Sequence, residues 1–174
     1  MIVKRYSQEV HPHPTRGGPP RGRTSAAFLI AQVGSHAATK FAERLAPLGL
    51  SPPHAGILRV LSANPGRTQQ ALGTILGILP SRLVILVDEL EGRGLLERRD
   101  TPEDRRSYAL HLTEKGREML DNIGRVAREH DAAVCAALSE KERGELASLL
   151  GRIAEEQGLT PGVHPGFKRL GRSK

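Results

Sequence analysis

Apolar residues fall at helical spacing along most of the chain, and the breaks in that spacing mark where elements end. Ile30, Val33, Ala37, Phe41, Leu45 and Leu48 recur every three or four residues, the period of one helix face. Thr24 or Ser25 caps the start of that helix, and Pro47 and Gly49 stop it. In "SPPHAGILRVLSAN" Ser51 is an N-cap, Pro52 suits the first turn, and Ile57, Leu58 and Leu61 form the buried side. "NPGR" then reads as a turn. Two short helices follow. "TQQALGTILG" starts at a Thr N-cap, buries Leu72, Ile75 and Leu76, and stops at Gly77. "PSRLVILVDELEGRG" starts at Pro80, buries Leu83, Leu86, Val87 and Leu90, and ends at Gly92 or Gly94. A short glycine-containing joint between two helices predicts a helix-turn-helix.

The period then switches. Tyr108, Leu110 and Leu112 alternate with Ser107, Ala109 and His111, which predicts a strand. "GLLER" supplies its partner, so "DTPED" is the tip of a β-hairpin. Thr113 caps a helix through "EKGREMLDNIGRVAREHDAAVCAAL", at roughly two dozen residues longer than the ordinary globular helix. Ser139 with Glu142 forms a capping box for a last helix striped by Leu146, Leu149, Leu150 and Ile153. The expected fold is mainly α with a small β-hairpin wing, a winged helix-turn-helix with extra helices at both ends. That domain occupies residues 24–157. Residues 1–23 are rich in Pro, Gly, Arg and His and read as a disordered N-terminal arm. Residues 158–174 read as a basic C-terminal tail with the same character.

Composition narrows the class. Aromatic residues make up 3% of the 174 and Trp is absent, so the core must be aliphatic. A single Cys rules out a disulfide framework and any cysteine-based zinc site, and fits a reducing cytoplasm. No apolar run approaches the length of a membrane span, so no membrane partner is expected. The net charge of +7 invites a nucleic-acid reading, but residues 1–23 carry +4 and residues 158–174 another +4, leaving −1 between them. A DNA-binding case must therefore rest on local arrangement.

Such an arrangement exists at the hairpin. Arg105 and Arg106 stand at its tip, where a wing beside a recognition helix can reach a minor groove of strong negative potential. Asp104 and Arg106 are two apart and share a face of an extended strand, so Asp104 is the expected wing stabiliser. The N-terminal end of the helix at Pro80 should enter the major groove. It offers Ser81, Arg82 and, one turn on, Ile85. Arg82 suits guanine edges or phosphate, and Ile85 a thymine methyl. Thr68 and Gln69, at the start of the preceding helix, can donate to phosphate oxygens. Asp88, Glu89 and Glu91 lie at the far end and read as a solvated face.

The stretch "LGILPSRLVILVDELEGRGLLERRDTPEDRRSYALHLTEKGREML" resembles the signature region of the MarR family of bacterial transcriptional regulators. The elements that carry the resemblance are Leu86 to Arg98, then Asp104-Arg105-Arg106, then Leu112 to Gly116. A weaker likeness runs from Ser25 to Gln157. The chain departs from the pattern at Thr101, which precedes the wing proline, and at Ile85, where many members carry arginine. The resemblance implies a homodimer joined through helices 24–48 and 114–157, with a DNA-binding lobe over 51–113. It also implies binding to double-stranded DNA at a palindromic operator, usually as a repressor released by a small-molecule effector or by oxidation. By the same resemblance an effector pocket would lie where "TKFAERL" and "AGILRVL" face each other. Independently, the apolar stripes at both ends supply more helical surface than one winged-helix core needs.

Other readings are weaker. Cys135 sits in "DAAVCAAL" without a nearby cation to lower its pKa, so it reads as a structural thiol. His11 and His13 lie in a Pro-rich arm without further ligands, and His36, His54, His111 and His130 are scattered. None has zinc-site spacing, so neither metal nor cofactor is expected. A Gly-rich phosphate loop and a GxSxG elbow are both missing, so the protein does not read as an enzyme. The alternative is a winged-helix dimer acting as a protein-interaction module, which would have no need of Arg105 and Arg106.

Overall fold

The structure is a computed structural model. It describes residues 25–101, 104–164 and 167, without the side chains of 101–107. The N-terminal arm, with His11 and His13, lies outside the described residues. The chain divides into two compact units, residues 1–35 and 36–174. Helix α1 (Ala26–Leu45) starts in the first, where Ser25 Oγ accepts from the Phe28 N–H at 3.2 Å and caps it, and its residues from His36 on belong to the second. Phe28, Leu29, Ile30 and Val33 are exposed. The apolar stripe expected from the sequence is there, but these residues are not packed within their unit.

The second unit holds α2 (Pro52–Ala63), β1 (Arg67–Thr68), α3 (Gln69–Leu76), α4 (Pro80–Gly92), β2 (Leu96–Thr101), β3 (Asp104–Leu112), α5 (Glu114–Val134) and α6 (Glu140–Glu156). Each start has a local cause. Pro52 and Pro80 occupy first turns, where a missing N–H costs nothing. Thr68 Oγ1 accepts from Ala71 N–H at 3.2 Å, and Thr113 Oγ1 from Gly116 N–H at 3.0 Å. Ser139 and Glu142 make the expected capping box. Gly77 ends α3 with φ +63°, a left-handed conformation that favours glycine.

The core is aliphatic, as the composition requires. Leu45, Ile57, Leu58, Leu61, Leu72, Leu76, Leu83, Val87, Leu90, Leu95, Leu96 and Leu110 are almost completely buried. The sheet is antiparallel with order β1-β3-β2. β3 is central, pairing Leu110 with Arg67 on one side and Arg98 on the other. Between Asp100 and Thr101 the register shifts, so the hairpin changes its geometry where the wing begins.

Four features depart from the sequence reading. β1, only two residues long, was not foreseen; it begins at the last residue of the expected turn, of which Pro65 and Gly66 do form a turn. Tyr108 continues the alternation of Leu110 and Leu112 but is 51% exposed, because the hairpin extends past the core that covers the other two. α5 stops at Val134 rather than running through Leu138. There the Cys135 and Leu138 carbonyls accept from the Arg143 Nε–H at 3.1 and 3.2 Å, which satisfies groups a longer helix would have paired. Finally, the C-terminal tail has something to bury after all. Phe167 is 7% exposed and belongs to the core.

One glycine is fixed by packing. Gly116, in the first turn of α5, lies so close to the Leu95 carbonyl that a Cβ there would overlap its oxygen. Neither group can give way, since the Leu95 carbonyl also accepts from Thr113 N–H at 3.3 Å. Gly116→Ala is therefore expected to destabilise the protein by about 3 kcal/mol, the upper end of an overpacking cost. A urea denaturation midpoint within error of wild type would contradict this placement.

Candidate nucleic-acid interface

The chain turns by 113° between α3 and α4, within the helix-turn-helix range. Two close approaches hold the joint. Ile78 N–H donates to the Gly73 carbonyl at 3.1 Å, and a Cβ on Gly73 would come within 3.2 Å of Leu83 Cδ2. Leu83, Leu86, Val87 and Leu90 turn one side of α4 into the core. The spacing of the helix then leaves Ser81, Ile85 and Asp88 on an outward stripe, all exposed. Ile85 is 58% exposed. Arg82 is half-buried, and its Nε is shielded from solvent without a hydrogen-bond partner. Thr68 and Gln69 are placed at the start of α3, but both already have structural duties. Thr68 caps the helix, and Gln69 Oε1 lies 3.5 Å from Arg98 Nη2.

The far end of α4 differs from the sequence reading. Asp88, Glu89 and Glu91 do not form a plain solvated face, because each has a cationic or hydrogen-bonding partner. Arg98, from β2, donates through Nη2 to Asp88 Oδ1 at 2.5 Å and through Nη1 to Glu91 Oε2. The Arg98 backbone N–H donates to Glu91 Oε1 at 3.1 Å. Burial works against the charged guanidinium, but the two carboxylates outweigh it and its pKa lies above the usual arginine value. One arginine thus joins the base of the wing to the C-terminal half of α4, and it offsets part of the negative charge on the helix proposed to face DNA. Sequence reasoning missed it, because its partners lie ten and seven residues upstream and no periodicity links them.

Glu89 is held from the other side. His54 is 8% exposed. Its Nδ1 accepts from Ser51 N–H at 3.1 Å, so Nε2–H donates to Glu89 Oε2 at 2.8 Å. Desolvation lowers the His54 pKa, and this outweighs the opposing pull of Glu89. The ring is therefore neutral at pH 7, and the contact is a hydrogen bond to a carboxylate rather than an ion pair. Arg93 closes the end of α4 by donating to the Gly49 and Leu48 carbonyls at 2.6 and 2.8 Å.

β2 and β3 form the expected wing. Arg99 pairs with Glu97 two residues away on β2. Asp104, Arg105 and Arg106 fall at the start of β3, and their side chains lie outside the described residues. Behind the interface is a cleft of about 660 Å³. Its walls come from α1 (Ala38, Thr39, Phe41), α2 (Pro52, Ala55, Gly56, Arg59), α5 (Leu120, Ile123, Gly124, Ala127) and the C-terminal segment (Gly162, His164, Phe167). It lies where "TKFAERL" and "AGILRVL" approach, with a fourth wall that the sequence reading did not include.

A helix-turn-helix with an exposed outward stripe, followed by a two-stranded wing whose β3 also pairs with β1, defines a winged helix-turn-helix protein. Comparison with known proteins agrees. Residues 48–107 match the MarR family model. A transcriptional regulatory protein for the hcr operon of Thauera aromatica is 38% identical over 113 residues, covering 65% of this chain and 68% of the relative. The transcriptional repressor CouR, solved on a 23-mer DNA duplex, superposes with a TM-score of 0.66 at 37% identity, over 75% of this chain and 92% of that one. The Mycobacterium tuberculosis MarR family protein Rv2887, solved with salicylic acid, gives 0.63 at 27% identity, over 76% and 98%. The chain belongs to the MarR family.

Two outcomes follow from the contacts around α4. Arg98→Ala leaves Asp88 and Glu91 facing each other without a cation. It should cost about 1–3 kcal/mol, the range for a broken charged hydrogen-bond group, measured by chemical denaturation. Asp88→Asn combined with Arg98→Ala should recover part of the loss, and full additivity would rule out the coupling. For His54 the folded pKa lies below the unfolded one, so the unfolded state binds more protons as pH falls. Stability should be fully present above about pH 6.5 and decline below it. His54→Gln should flatten that decline in melting temperatures recorded across the range.

Proposed function

We propose that the protein is a sequence-specific DNA-binding transcriptional regulator, a homodimer that represses its target and releases it when a small molecule occupies the cleft. The observation that carries this reading is the outward stripe of α4. Ser81 and Ile85 are exposed at its leading end, while Arg98 partly offsets the charge of Asp88 and Glu91 at its trailing end. A helix bearing unpaired Asp88 and Glu91 would be repelled by phosphate. In this reading Ser81, Arg82 and Ile85 meet base edges in the major groove. Thr68 and Gln69 lie near the phosphates. Arg105 and Arg106 enter the minor groove, with Asp104 holding the wing in shape. The CouR complex with a 23-mer duplex supports DNA as the partner.

The homodimer rests on apolar surface that each unit leaves uncovered. Phe28, Leu29, Ile30 and Val33 are 42–57% exposed on α1, and Leu146, Leu149, Leu150 and Ile153 are 39–53% exposed on α6. Helices with such faces need a partner, and a two-fold dimer would match a palindromic operator. The small-molecule role rests on the cleft, whose lining is almost wholly apolar apart from Thr39, Arg59 and His164. It suits an apolar molecule with one anionic or hydrogen-bond-accepting group directed at Arg59. The salicylic acid complex of Rv2887 is consistent with that chemistry. On this reading the protein binds DNA and an effector but catalyses no reaction, and it acts in the cytoplasm where its DNA target lies.

The test is binding to the intergenic DNA upstream of its own gene, titrated with salt, for wild type and Arg105→Ala/Arg106→Ala. The double variant should bind much more weakly, with its slope of log affinity on log salt reduced by about 0.9 for each phosphate it no longer neutralises. Size-exclusion chromatography should show the dimer intact. Equal, weak binding of both proteins to any sequence would instead favour a protein-interaction module.

A further inference from the structure

The stretch after Gly158 contributes three residues to the cleft, although its sequence suggests only a solvated tail. We propose that Gly162, His164 and Phe167 form the wall that sets the size of molecule the cleft accepts, with Phe167 as the specificity-determining side chain. The proposal rests on reading the cleft as the effector site.

Three observations carry it. Phe167 is 7% exposed, at the end of a run in which Thr160, Pro161, Gly162 and His164 are exposed. An aromatic ring is thus drawn in from a stretch in which Val163 is partly buried and the other described residues are exposed. The ring meets α2 at Gly56, where a Cβ would lie 2.9 Å from Phe167 Cε2 and 3.3 Å from Cζ. Glycine weakens a helix interior, so Gly56 has a packing reason here: it makes room for the ring. One turn along the same face, Arg59 donates to the Gly162 carbonyl. A single side of α2 therefore anchors the segment at two points. Hydrogen bonds from Val163 N–H to Thr160 and from Phe167 N–H to His164, both 3.1 Å, fold it into two turns. The His164 and Phe167 rings lie 5.7 Å apart.

The other three walls of the cleft are helices, each with its own backbone ladder. This wall has no such ladder; a ring and a guanidinium anchor it to α2, and both belong to the lining of the cleft itself. A bound molecule therefore meets Phe167 as a limit on its size. An anionic group that reaches Arg59 competes with the Gly162 carbonyl for the same donors.

The test uses full-length protein and two probes of different size, salicylate and the larger 8-anilinonaphthalene-1-sulfonate, titrated into wild type, Phe167→Ala and Ala127→Leu. A size-limiting wall predicts opposite changes in Phe167→Ala: the larger probe binds several-fold tighter and salicylate several-fold weaker. Affinities that fall together, or do not change, overturn the proposal. Ala127→Leu fills the cleft from α5 and should weaken both probes. If it does so while Phe167→Ala changes neither, the effector site stands and the wall fails. If it affects neither, the probes bind elsewhere, and the effector reading falls together with the wall. Phe167→Trp gives a second readout should Phe167→Ala not fold, since the chain has no tryptophan. Its emission should be blue-shifted and should respond to salicylate. Emission typical of an indole in water, unaltered by either probe, overturns the proposal.

Discussion

One side of α4 is taken up so completely by the core that the rest of the lobe is arranged around it. Leu83, Leu86, Val87 and Leu90 are each 4% exposed or less, a burial that stabilises by about 1.5–3 kcal/mol for each side chain. With no tryptophan in the chain and Phe167 the one aromatic ring among the described buried core residues, the fit around α4 depends on branched aliphatic chains at the right helical positions. Fixing that side fixes the opposite one. Ser81 and Ile85 are presented outward by the period of the helix rather than by contacts of their own. A recognition surface with few internal contacts can vary in sequence without disturbing the fold, which is consistent with Ile85 standing where many family members carry arginine.

The second requirement is electrostatic. Outside its two basic ends the chain has a net charge of −1, and three of its acids lie on the helix proposed to approach DNA. The fold answers locally. Arg98 holds Asp88 and Glu91 from the wing side, and His54 holds Glu89 from α2. The two partners differ in kind. Arg98 keeps its charge and offsets part of that of its two acids, whereas His54 is neutral and only orients its carboxylate. Neutralisation is thus concentrated where helix and wing meet, the region nearest to phosphate in the proposed binding mode. Net charge for the whole chain would have missed this distribution.

Much of the fold was legible because its signals are local. Caps at Ser51, Thr68, Thr113 and Ser139, prolines in first turns, and a glycine after α3 place the helix ends, and the four buried positions of α4 follow from spacing alone. What could not be read depends on partners distant in sequence. β1 is two residues long and has no period of its own; it exists because β3 offers an edge. Arg98 looked like one more wing arginine until the packing of β2 against α4 brought it to Asp88 and Glu91. Phe167 lies among Pro and Gly, and only the gap left at Gly56 explains its burial. Tyr108 failed in the opposite direction, since alternation gives the face of a strand but not how far the core extends beneath it. On the face proposed to meet DNA, the exposure of Ser81 and Ile85 followed from helical spacing and the cap at Thr68 from residue type, while the approach of Gln69 to Arg98 was not legible.

These contacts also constrain how the cleft and the helix proposed to face DNA can influence one another. α2 borders the cleft through Pro52, Ala55, Gly56 and Arg59, and its first turn carries His54, hydrogen-bonded to Glu89 on α4. A molecule in the cleft changes DNA affinity only to the extent that it binds two arrangements of the protein unequally. Those arrangements must differ at a wall of the cleft and at α4 together. A shift of α2 satisfies both conditions through contacts already present: it changes the space beside Gly56 and Arg59 and moves the donor that holds Glu89. A shift confined to α5 would alter the cleft while leaving the His54 contact untouched. Coupling, where it occurs, therefore falls most directly on α2, the helix whose central glycine and arginine also anchor the C-terminal wall.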